Sequence, residues 1–207
     1  SVDNTRNRAA TVGTGRVGIR LGQSHTLTLL GAYSDREAIN SAVDTFQRSG
    51  FMYGATYSGR YLKKKLVTNI SGRIQQPTFG LTDNQRRIVN GRIQYFVRPK
   101  SNVYFNSTFN ENIYSVTSSI PGSPSEFNNM IFFNALGYSR TTRFGTVQNY
   151  GYYNINSIVG KRIISPGLGV RYSNYIFDKN ILYAVNVQGG YDNALFLPDL
   201  PWYFRMN

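Results

Sequence analysis

GRIQYFVRPKSNVYFNSTFNEN, from Gly91 to Asn112, is the stretch on which the reading of the whole chain turns. Ahead of Arg98 one alternate set, Val89, Gly91, Ile93, Tyr95 and Val97, is largely apolar, while Ile88, Asn90, Arg92, Gln94 and Phe96 are mostly polar. Beyond Arg98-Pro99-Lys100-Ser101 the split returns, with Val103, Phe105, Ser107 and Phe109 against Asn102, Tyr104, Asn106, Thr108 and Asn110. A period of two marks a β-strand with one greasy and one wet face, because successive side chains leave opposite sides of the pleat. Two such arms joined by four turn-forming residues predict an antiparallel hairpin.

The same pattern extends through most of the 207 residues. It predicts strands near Thr11–Leu21, Thr26–Tyr33, Phe51–Leu62, Leu66–Ile74, Ile88–Val97, Asn102–Tyr114, Phe127–Tyr138, Thr146–Ile158, Leu168–Phe177 and Ile181–Tyr191. No helical period intervenes, and 20 Gly, 16 Tyr and 13 Phe also argue for strands over helices. The connections alternate in length. Gly22-Gln23-Ser24, Lys63-Lys64-Lys65, Arg98 to Ser101, Thr141 to Gly145 and Asp178-Lys179-Asn180 are tight, whereas Ser34–Gly50, Gln75–Arg87, Ser115–Glu126 and Val159–Gly167 are longer. In an up-and-down meander successive connections fall at opposite ends, so one end carries turns and the other carries loops.

That alternation, with two-faced strands of about ten residues, resembles the bacterial outer-membrane β-barrel, whose periplasmic turns are short and extracellular loops long. The resemblance is one of pattern across nearly the whole chain and rests on no single motif. It implies an all-β, antiparallel, up-and-down transmembrane barrel of about ten or more strands. Residues 1–207 would form one such domain or a part of a larger barrel in the cell outer membrane. Tyr33, Phe51, Tyr61, Tyr95, Phe109 and Tyr138, near segment ends, fall where aromatic girdles belong. Both termini of a ten-strand meander would lie at the loop end, unlike the family, and Phe204-Arg205-Met206-Asn207 is not its aromatic-terminated strand. A further strand is therefore expected before Ser1 and another after Asn207.

Gly15-Arg16-Val17, Gly59-Arg60-Tyr61, Gly72-Arg73-Ile74 and Gly91-Arg92-Ile93 each set an arginine on the polar side between small or apolar neighbours, and Arg20 and Arg171 share that parity. In a barrel these six would line a basic, anion-favouring lumen and bind an anionic solute. The alternative is bracing of the wall by Glu111, Asp192 and backbone carbonyls. Met130, Phe132, Tyr150 and Tyr152 break the pattern, putting bulk where polarity is expected.

The formal net charge is +13, from 23 Lys and Arg against 10 Asp and Glu, but the cations are scattered over turns and alternate strand positions. Lys63-Lys64-Lys65 and Arg98-Pro99-Lys100 read as solvated turns before they read as phosphate sites. A nucleic-acid platform would concentrate basic and aromatic residues on one small sheet, so no nucleic-acid partner is expected. The chain contains no cysteine and a single histidine, His25; no thiolate site, metal cluster or cofactor motif is expected. Asp35, Glu37 and Asp44 share a predicted loop without a spacing that orients an acid–base pair, so no enzyme is expected. SSIPGSPS, Ser118–Ser125, reads as a surface loop, and LFLPDLPW, Leu195–Trp202, as a non-strand segment over a barrel mouth or against a partner. No run of about 18 apolar residues is present for a transmembrane helix, and no signal peptide stands at Ser1. The expected partners are outer-membrane lipid and lipopolysaccharide, an anionic solute and other subunits. The competing class is a soluble or surface-exposed β-sandwich or solenoid that binds polysaccharide through aromatic faces.

Overall fold

The alternating segments pair in chain order, each with its neighbours, because every short connection returns the chain beside the strand it has just left. The computed structural model describes residues 9–39, 45–77, 79, 84–115, 126–158, 161–176, 181–191 and 202–206. They form one antiparallel sheet of eleven strands, ordered β1 to β11 without a crossover. The strands are β1 (Ala9–Arg20), β2 (His25–Ile39), β3 (Thr45–Tyr61), β4 (Leu66–Gln75), β5 (Asn84–Arg98), β6 (Ser101–Ser115), β7 (Glu126–Thr142), β8 (Gly145–Ile158), β9 (Lys161–Ile176), β10 (Ile181–Tyr191) and β11 (Trp202–Met206).

All ten expected strands are present, several of them longer than the sequence suggests. Much of Ser34–Gly50 and Val159–Gly167, expected as loops, belongs to β2, β3 and β9. Pro166 is accommodated in β9 because β10 pairs with β9 only as far as Gly190 opposite Gly167, so the position that lacks an N–H has no described partner on that side. The eleventh strand, β11, was not expected. It pairs through Trp202–Met206 with Val187–Tyr191 of β10. Asp178-Lys179-Asn180, Ser118–Ser125, Leu195–Pro201, Asp44 and Asp192 lie outside the described residues.

The tight turns sit at one end. Leu62, Lys63 and Lys64 take φ of 50, 54 and 72°, three left-handed residues in succession, closed by Lys65 N donating to Leu62 O at 3.1 Å. Gly145 opens β8 at φ 125°, where a Cβ would stand 2.6 Å from the Ser173 carbonyl oxygen. A register shift between Phe96 and Arg98 absorbs the Pro99-Lys100 turn.

The sheet is a single layer and is open. Among the described residues no strand contacts any but its sequence neighbours. The closed barrel expected from the sequence is therefore not formed. Among the described residues β1 pairs only with β2, and β11 covers β10 only from Val187 to Tyr191. The single-layer arrangement exposes 14805 Å², against roughly 9,700 Å² for a compact monomer of this mass. Ile93, Tyr95 and Val103 are 42%, 42% and 40% exposed; no second layer covers them. The large exposed apolar side chains of the strands lie on one face, apart from Val12, Tyr114 and Leu182 on the other and Val97 at the register shift. The six aromatics expected as girdles, Tyr33, Phe51, Tyr61, Tyr95, Phe109 and Tyr138, all belong to that apolar face.

Candidate functional site: the arginine-bearing face

Pairing parity decides which side chains meet. The register puts Arg16 level with Leu30, Gly54 and Arg73, and Arg20 level with Thr26, Ser58, Asn69 and Arg92. Arg60 is level with Val67, Gln94 and Tyr104, and Arg171 with Gln148, Ser139 and Asn102. All six expected arginines thus share the polar face. They do not converge: at about 4.8 Å per strand, Arg16 and Arg73 are roughly 14 Å apart and Arg20 and Arg92 roughly 19 Å. The arrangement is a field of spaced cations, not a chelating pocket. Arg86 and Arg205 join the same face. The sequence reading missed Arg86 because it assigned that residue to a loop; β5 starts at Asn84, and Arg86 Nε donates to Asn110 Oδ1 at 3.4 Å.

The carboxylates fall elsewhere. Asp35 and Glu111 have the register of the apolar face. Glu111 accepts from Arg87 Nη1 at 3.2 Å and from Asn128 Nδ2 at 2.8 Å, both on its own face, so it braces no member of the arginine set. Among the described residues none of the six arginines stands in an ion pair. Five of them are exposed and Arg73 is half-buried. An array of uncompensated guanidinium groups gives this face a positive potential that attracts anions.

Between the arginines the face is built of amides and tyrosines. Gln94 Nε2 donates to Asn102 Oδ1 at 3.4 Å, and Asn186 Nδ2 to Gln188 Oε1 at 3.3 Å. The Oδ1 atoms of Asn129, Asn154 and Asn156 are buried without a donor from the protein. Tyr104, Tyr150 and Tyr152 stand directly opposite Gly137, Gly169 and Gly167. Each ring lies down over its glycine: a Cβ on Gly137 would be 2.6 Å from Tyr104 Cζ, one on Gly169 2.5 Å from the Tyr150 hydroxyl, and one on Gly167 would overlap the Tyr152 ring. Lying flat, Tyr150 spans β9 and donates its hydroxyl to Asn186 Oδ1 at 2.7 Å. The Arg92 guanidinium sits 5.8 Å from the Tyr104 ring centroid. Paired glycines thus let bulky rings cover a polar wall without standing up from it, which accounts for Tyr150 and Tyr152. Met130 and Phe132 need no such device, since the register puts them on the apolar face beside Glu111 and Phe109.

What this surface offers chemically is hydrogen bonding and positive charge without a nucleophile–base pair among the described residues. The chain matches no protein-family model and no curated protein by sequence.

Proposed function

We propose that the sheet is the wall of an outer-membrane β-barrel, its apolar face against lipid and its arginine face against water, acting as a channel or a transport and translocation wall that favours anions. The observation that carries this reading is the segregation of exposed side chains. Apolar residues such as Leu168, 73% exposed, and Leu136, 61% exposed, belong to one continuous face with nothing packed on it, far beyond the few hundred Å² of apolar patch a soluble monomer tolerates. Dimensions agree. Phe51 and Tyr61 of β3 are ten residues apart, roughly 33 Å along a strand, or about 25 Å of height at the tilt usual for membrane barrels.

Hydrocarbon cannot hydrogen-bond a bare strand edge. In this reading the outer edges of β1 and β10–β11 are therefore paired in the membrane by strands of a second copy of this chain or of another subunit. Solutes pass along the opposite face, where Arg16, Arg20, Arg60, Arg73, Arg92 and Arg171 set the charge preference and the amides replace hydration. Reconstitution in a planar bilayer tests this: salt-gradient reversal potentials show anion preference, and replacing the six arginines by glutamine abolishes it. A cation preference, or an anion preference unchanged by that replacement, overturns the role given to these residues.

A further inference from the structure

Lys63-Lys64-Lys65, Arg98 and Lys100 read in sequence as solvated turns, yet the register gives them a shared setting. Tyr61, Leu66, Tyr95, Val103 and Tyr138 form one lateral row on the apolar face. Each tyrosine of that row is followed, within two to five residues, by the cations of the turn its strand enters. Tyr61 leads to Lys63, Lys64 and Lys65, Tyr95 to Arg98 and Lys100, and Tyr138 to Arg140 and Arg143. The three motifs repeat every second strand, about 10 Å apart along the rim.

The rim holds these groups in place. Phe96 N donates to Lys65 O at 2.7 Å and Thr141 N to Lys100 O at 2.8 Å, tying each turn to the next strand pair. The left-handed backbone at Leu62–Lys64 turns the lysine run outward, and all seven cations are exposed. Arg143 packs its guanidinium 4.5 Å from the Phe144 ring centroid, and Asn174 Nδ2 holds the Phe144 carbonyl at 2.8 Å. A shallow groove of about 490 Å³ between the first two turns is lined by Lys63, Lys65 and Arg98 together with Phe96, Val97 and Pro99. It combines positive charge with an apolar floor. Among the described residues no carboxylate lies at this end; Asp35 and Glu111 are both at the other end of their strands.

We infer that the tight-turn rim is a docking surface for anionic phospholipid headgroups, the tyrosine row lying at the interface and the cation clusters engaging phosphates just beyond it. The inference rests on the membrane reading above. Tyrosine prefers the headgroup level, where its ring is in the apolar boundary and its hydroxyl is wet. Basic residues immediately outside that level are attracted by an anionic leaflet, each strengthening binding by about fivefold. A soluble acidic protein would match the charge but not a row of tyrosines level with one another on the lipid-facing side.

The test is folding of the full chain from urea into vesicles of phosphatidylcholine alone and of phosphatidylcholine mixed with phosphatidylglycerol. The expected result is insertion into both, with tighter association with the anionic vesicles. Lys63→Gln with Lys100→Gln lowers that anionic preference about 25-fold. Arg87→Gln with Arg162→Gln, an equal loss of charge at the opposite end, leaves it unchanged. Insertion into both vesicles with no anionic preference, or equal losses from the two double variants, overturns the rim assignment while leaving the membrane reading intact. Failure to insert into either vesicle overturns the membrane reading, and the rim inference with it.

Discussion

Gly169→Ala probes the polar face at a point where the nearest atoms to the added methyl group all belong to one tyrosine ring and none to the backbone. A methyl group there would stand 2.5 Å from the Tyr150 hydroxyl and 2.7 Å from Cε2, against an optimum of about 3.5–4.0 Å for non-bonded carbon. The ring must lift by about 1 Å, and its hydroxyl then leaves Asn186 Oδ1, 2.7 Å away. Overpacking costs about 1–3 kcal/mol and the lost hydrogen bond about 0.5–1.5 kcal/mol. The better strand backbone of alanine returns about 0.5–1 kcal/mol. The net expectation is destabilisation by about 1–3 kcal/mol, read from urea unfolding in detergent micelles by the fluorescence of the single tryptophan. In a Tyr150→Ala background the same change becomes neutral to slightly stabilising, a coupling of about 2 kcal/mol between the two sites. Gly91→Ala, whose Cβ meets nothing within 4 Å, is neutral or stabilising in either background. An equal penalty for Gly169→Ala with and without the Tyr150 ring would refute the packing argument.

Two further substitutions bear on strain and on the apolar face. Lys64 at φ 72° carries a left-handed cost of about 1–2 kcal/mol that glycine escapes at an entropic cost of about 0.5–1 kcal/mol. Lys64→Gly therefore raises unfolding stability by about 0.5–1 kcal/mol in the same assay, whereas Gly91→Ala serves as the opposite exchange at an unstrained site. Leu168→Arg, at the middle of β9 on the apolar face, weakens folding into vesicles by about 2–4 kcal/mol, while Thr108→Arg on the polar face changes it by less than about 1 kcal/mol; equal effects of the two arginines would count against a lipid-facing side.

Strand existence, order and the tight turns were legible because a two-residue period and a short connection are local signals. So was the shared face of the arginines, since parity holds along each uninterrupted strand. Parity between strands was harder. Whether Met130 and Phe132 lie with Phe109 or against it depends on how many residues the connection from β6 to β7 consumes, and only the register, Phe109 opposite Phe132, decides it. Strand ends were hidden wherever polar or proline residues continue a ladder. Arg86, Arg87 and Pro166 looked like loop chemistry because the sequence shows a residue type but not which side of its strand is paired. The tyrosine–glycine pairs escaped notice for a related reason: Tyr104 and Gly137 are 33 positions apart and adjacent only across the register. β11 was masked by the two prolines before it, and the open edges could not be read from any alternation within a strand.

The central claim is that the two faces of this sheet meet different solvents. The chain has no native cysteine, so single cysteines can be walked along β6 without background. Val103→Cys, Phe105→Cys and Phe109→Cys sample one face, and Asn102→Cys, Asn106→Cys and Thr108→Cys the other, each variant folded into vesicles and exposed to a charged, membrane-impermeant maleimide or to a lipid-dissolved quencher after labelling. A strict alternation is expected, with 102, 106 and 108 modified from water and 103, 105 and 109 reached only from the lipid. Equal modification of both sets from water, or protection of 103, 105 and 109 in a detergent-free soluble protein, would contradict it.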